Sequence, residues 1–127
     1  MKQTWAKFEE KVQSEIYPIL SQRGYKFQEG GLNEDNGGYL LIYEKNQKDL
    51  IFIDVIKGMA VEALTIKHFN CVRVELSKGY LKMLIGKASD TNMYLRDGWI
   101  WATEEDLDQC LEEIANGLKA YFDTRAE

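Results

Sequence analysis

The chain has 127 residues, 45% of them hydrophobic and 29% charged, with one proline and no low-complexity tract. That size and mix suit a single domain spanning 1–127 with a two-layer core, and they exclude extended disorder. The net charge of −5 argues against nucleic acid and against an anionic membrane surface as partners, because both need a basic footprint; a basic protein partner is compatible with it.

The N-terminus, Met1-Lys2-Gln3-Thr4-Trp5, runs directly into a charged amphipathic pattern without the apolar stretch of a signal peptide. Apolar runs stay far below the ~20 residues needed to span a bilayer, so a soluble, cytoplasmic protein is expected. From Thr4 to Arg23, Trp5, Phe8, Val12, Ile16 and Ile19 recur at steps of three and four and predict a helix. Pro18 should kink or break it near Tyr17, and Gly24 is its natural stop, with Arg23 at the negative end of the dipole. Tyr25–Gln28 reads as a short strand, followed by a flexible polar loop from Glu29 to Gly38.

From Tyr39 the period changes to two. Tyr39–Glu44 and Asp49–Ile56 predict strands joined through Asn46 and Gln47, both apolar on both faces and therefore expected to be covered on both sides. Residues 58–68 fit a crossover, a strand or a short helix. A hairpin over Val72–Gly86 turning at Lys78-Gly79 sets Leu76 opposite Leu81 and Glu75 opposite Lys82. A second, turning at Asp97-Gly98, sets Leu95 opposite Ile100 and Met93 opposite Ala102 on an aliphatic side assigned to the core. Its other side collects Tyr94, Arg96, Trp99 and Trp101, extended by Tyr39, Tyr43 and Tyr80. The last helix, Thr103–Tyr121, opens on a Thr103 N-cap with Glu104, Glu105 and Asp106 at the positive dipole end, and its stripe is Leu107, Cys110, Leu111, Ile114, Leu118, Tyr121 and Phe122. The expected fold is α+β: an antiparallel meander of about five to seven strands with the N- and C-terminal helices on one face.

Catalytic signatures are sparse. His68 is the single histidine, no CxxC or paired-histidine spacing suggests zinc, and no glycine loop of a nucleotide-binding type is present. No cofactor and no metal are expected. Cys71 and Cys110 sit in apolar patterns and read as small buried hydrophobes. Asp54, on an otherwise apolar strand, is either a structural aspartate bonded to a neighbour such as a tyrosine, or a general acid/base or metal ligand, together with Glu75 and Lys78 or Lys82, of a small hydrolase or nuclease-like enzyme that would also need His68 in the same pocket.

Two surfaces suggest binding. Tyr94, Arg96, Trp99 and Trp101 are the residue types that dominate interface hot spots, for a foreign partner or a homodimer, unless the chain covers them itself. Glu104, Glu105, Asp108 and Glu112 form either a solvated helix face or an electrostatic docking patch for a basic protein. The leading helix ending in Arg23-Gly24-Tyr25-Lys26-Phe27, the aromatic meander, and Trp101-Ala102-Thr103-Glu104-Glu105-Asp106-Leu107 opening an acidic helix give a layout that resembles small α/β immunity proteins, which bacteria make to neutralise a paired toxin. The resemblance implies a non-enzymatic inhibitor whose acidic surface meets a basic toxin domain. Secretion chaperones, small acidic effector-binding proteins, are the alternative of similar layout; they call for a helix among the strands, for which residues 58–68 are the available segment.

Overall fold

A computed structural model describes residues 2–33, 37–89 and 92–124. The first helical pattern divides into α1 (Lys2–Glu15) and α2 (Tyr17–Gln22). The break falls at Ile16, which places Pro18 in the first turn of α2, where its missing N–H leaves no bond unmade. Gly24, at φ +90°, closes α2: its N–H donates to the Ser21 carbonyl and the Tyr25 N–H to the Leu20 carbonyl, a Schellman end sealed by buried Leu20 and Tyr25.

Strands β1 (Lys26–Asn33), β2 (Gly38–Lys45), β3 (Asp49–Glu62) and β4 (Thr65–Leu76) follow, then β5 (Gly79–Tyr80), the short helices α3 (Leu81–Leu84) and α4 (Met93–Asp97), β6 (Gly98–Trp101) and α5 (Glu104–Asp123). The six strands form one antiparallel sheet in the order β1-β2-β3-β4-β5, with β6 paired to β4 beside β5. The α+β class and the placement of terminal helices on one sheet face agree with the sequence. That face is the core: Phe8, Val12 and Ile16 of α1 and its junction meet Leu41, Ile53, Val55 and Val74 of the sheet and Leu111, Ile114 and Leu118 of α5.

Several expectations are corrected. The strand opening at Lys26 continues through Asn33, pairing up to Asn33↔Gly38 across a bulge between Phe27 and Glu29, so the expected loop is largely strand; residues 34–36 lie outside the described residues. β2 and β3 are covered by helices α1, α2 and α5 on one face only, and Leu40, Ile42, Phe52 and Ile56 remain half-buried on the other. The turn after β4 is Ser77-Lys78, with Leu76 opposite Gly79 and Glu75 opposite Tyr80; after two residues the chain coils into α3, and Lys82 instead donates to the Gly98 carbonyl at 2.8 Å. No hairpin turns at Asp97-Gly98. Asn92 caps α4 by accepting from the Leu95 N–H, Asp97 is its last residue, and Gly98 is extended and starts β6.

Candidate partner-binding surfaces

β6 pairs with β4 so that Trp99 lies opposite Val72 and Ile100 opposite Cys71. Since Val72 faces the helices, both tryptophans face them too, only 5% and 6% exposed. Trp101 stacks on Phe8, and Trp99 donates its indole N–H to Glu113 at 3.2 Å beneath the Lys82 ammonium. The expected exposed tryptophan face is therefore inverted: Trp99, Trp101 and Tyr43 are core, Tyr39 packs half-buried against it on the same side of the sheet, and Ile100 takes the outer side. Tyr94 does reach the outer side, where it meets Phe69 edge-on at 5.0 Å. Arg96 is half exposed and pairs with the buried Asp97 at 2.9 Å.

Asp54 also occupies the outer face. Its carboxylate takes two bonds from Arg73, at 3.2 and 2.6 Å, and the guanidinium lies 5.0 Å above the Tyr80 ring. Its partner is thus an arginine and not a tyrosine. His68 pairs with Met59, five positions along β4 from Arg73, which an odd offset places on the opposite face. Asp54 and His68 therefore lie on opposite faces of the sheet. Among the described residues, no three His, Cys, Asp or Glu side chains gather as metal ligands. Both cysteines are free and buried; burial pushes the Cys71 thiol up to about 12 and the Cys110 thiol up to about 11.

The acidic start of α5 faces α1. Glu104 pairs with Lys7 at 3.2 Å and with Lys11 at 3.6 Å, and Lys11 also binds Asp108, a hydrogen bond that raises its ammonium above the ordinary range. Half of the predicted patch is therefore neutralised by lysines of the same chain. Glu105 and Glu112 are exposed and, two turns apart, share one flank of the helix.

Among the described residues, a cluster of exposed apolar side chains lies in the segment that sequence reasoning left open between a crossover, a strand and a helix. Residues 58–68 form the distal part of β3 and β4, an arm paired from Gly58↔Phe69 to Glu62↔Thr65. Met59, Val61, Leu64 and Ile66 are 62%, 70%, 100% and 57% exposed. Val61 lies opposite Ile66, and both share the face of Met59, so three of the four form one stripe. The tip, Ala63-Leu64, has φ +47° and +68°, a left-handed two-residue turn with neither glycine nor asparagine. Two signals were available in the sequence: the alternation Met59, Val61 continues that of Ile51, Ile53, Val55 on the same side, and Ile66 resumes after a gap of a hairpin's length.

The arm and the start of α5 lie at one end of the molecule. β6 runs antiparallel to β4, so Trp101 stands opposite Asn70 at the arm's root and Thr103 follows at once. Lys57, at the root, lies 5.8 Å above the Trp5 ring of α1. A cleft of about 640 Å³ at the root is lined by Met59, His68, Phe69, Tyr94, Ile100 and Ala102 among others. No described helix is long and apolar enough to cross a membrane. No protein-family model matches the chain, and neither a curated protein nor a solved structure matches it.

Proposed function

We propose that this chain is a non-enzymatic protein-binding module of the immunity type, which neutralises a partner toxin domain by seating its apolar arm in a cleft of that domain. The observation that carries the reading is the arm: four large apolar side chains, 57–100% exposed, on a paired strand extension that contributes nothing to the core. Contiguous exposed apolar surface of this kind marks interaction sites in soluble proteins. Glu105 and Glu112, on the helix that starts beside the arm's root, favour a partner that is basic around its cleft. Secretion-chaperone function gains no support from residues 58–68, which are a strand pair and not the helix that reading calls for. The enzyme reading has its two residues, Asp54 and His68, on opposite faces of the sheet.

The test uses the tagged chain and its Val61→Lys/Ile66→Glu variant, whose opposite charges keep the cross-strand pair together, as baits in a lysate of the source cells. Capture by the wild type, and not by the variant, of a protein whose purified toxic activity the wild type then inhibits is the expected result. Equal capture by both baits, or capture without inhibition, overturns the reading.

A further inference from the structure

On the opposite edge of the sheet from β5 and β6, strand β1 has a single neighbour, β2, and the described residues supply no strand on its other side. An open edge presents a row of backbone donors and acceptors that will template another strand. The first half of β1 is blunted by the bulge between Phe27 and Glu29 and by charged Lys26 and Glu29. The second half, Gly30–Asn33, is regular and uncharged, and a Cβ at Gly31 would meet nothing within 4 Å.

Beside this half runs an open groove of about 900 Å³ between β1 and the flank of α1. Its apolar lining comes from Trp5, Ala6, Leu32 and Tyr39, and its carboxylates are Glu9 and Glu10. Trp5 and Tyr39 are stacked, ring planes 7° apart, which gives a rigid floor; the Tyr39 hydroxyl donates to Glu9 and holds that carboxylate over Gly30. Leu32, on the strand itself, is 58% exposed.

A helix flank beside a free strand edge is the geometry in which extended peptides add to a sheet, with main-chain bonds giving affinity and alternate side chains filling the groove. We propose that β1 and α1 form a second docking site, separate from the arm, which takes an extended peptide segment as an added strand along Gly30–Asn33. The occupant alternates apolar side chains, which enter over Trp5 and Leu32, with a lysine or arginine that meets Glu9 and Glu10. Two carboxylates in an apolar groove repel an acidic segment and attract a cationic one. The proposal does not depend on the function assigned to the arm.

The probe is a fluorescein-labelled octapeptide alternating valine with lysine, compared with its valine–glutamate counterpart and with a valine–lysine octapeptide N-methylated on alternate amides. Fluorescence anisotropy measures affinity, and backbone amide NMR on the full chain locates it. The expected result is binding of the valine–lysine peptide alone, with shifts at Gly30–Asn33 and Ala6–Gln13. Methylation should weaken it about tenfold or more, as lost main-chain bonds require. Glu10→Lys, an exposed position that leaves the fold intact by its amide spectrum, should reduce lysine-peptide binding by a similar factor. Absence of binding, equal binding of the methylated peptide, or shifts confined to the arm or to Glu105 and Glu112 overturns it. So does concentration-dependent self-association by light scattering that shifts Gly30–Asn33, which would make the occupant a second copy of the chain.

Discussion

Trp101 marks how far a single side chain can shift a functional reading. With its ring on Phe8 and 6% exposed, it is a packing residue, so Trp101→Ala should lower stability in urea unfolding by about 3–5 kcal/mol instead of selectively weakening partner binding. Its indole N–H is buried with no partner among the described residues, so Trp101→Phe, which removes that donor, should be clearly milder. Asp54 and Arg73 form a pair with side chains 15% and 18% exposed. Removing either alone by alanine should cost about 1–3 kcal/mol, whereas replacing both by leucine and methionine should recover most of it, since the desolvation of each charge is then also removed; a double-mutant cycle measures this. The alkaline limb of stability follows from burial. Burial pushes the Cys71 and Cys110 thiols up to about 12 and about 11 in the fold and, with the bond to Glu9, the Tyr39 phenol up to about 12. The unfolded chain loses these protons earlier, from about 9 for the thiols and 10 for the phenol. Above about pH 9 the unfolded state therefore binds fewer protons than the native one, and stability, full below that pH, should fall progressively towards pH 11–12. Urea midpoints across pH 8–11, with a Cys71→Ala/Cys110→Ala variant showing a shallower decline relative to its own value at pH 8, check the sign.

Among the elements, α5 was the most legible, because its signals are local. Thr103 accepts from the Asp106 N–H and Asp106 accepts from the Thr103 N–H, closing a capping box; Thr103→Ala should cost about 1 kcal/mol by thermal or urea unfolding. The division of α1 and α2 at Pro18 and the stop at Gly24 were legible for the same reason. β6 was not. Asp97-Gly98 carries a hairpin-turn signature, yet Gly98 is needed for a close approach: a Cβ there would stand 2.4 Å from the Val72 carbonyl oxygen. Turn statistics describe a dipeptide and cannot register the strand that crosses it. The arm stayed open between a strand, a crossover and a helix for the converse reason, since Ala63-Leu64 turns left-handed without a residue suited to it. Left-handed backbone at a residue with a Cβ costs about 1–2 kcal/mol. Ala63→Asn/Leu64→Gly should therefore strengthen amide-exchange protection of Val61 and Ile66, and, by removing the fully exposed Leu64 side chain, weaken partner capture.

For the whole molecule, one sheet face is closed by α1, α2 and α5 while the other is closed only in part, where Tyr94 of α4 rests on Phe69 and the Tyr94 carbonyl accepts from the Cys71 thiol. The arm projects beyond both layers, so its residues should be separable from folding. Val61→Lys/Ile66→Glu should keep the unfolding free energy within about 0.5 kcal/mol of wild type, the usual range for surface changes, while abolishing partner capture. Periodicity, charge and capping chemistry sufficed for the α+β class, the two amphipathic helices, the β2–β3 hairpin and its turn, because each depends on residues a few positions apart. Which side of β6 faces the helices, how far β3 and β4 extend, and which lysines neutralise Glu104 and Asp108 depended on tertiary packing. Alternation states that a strand has two sides; only pairing with β4 beneath α5 selects the side that leaves water, and that selection moved the exposed apolar surface from the tryptophans to the arm.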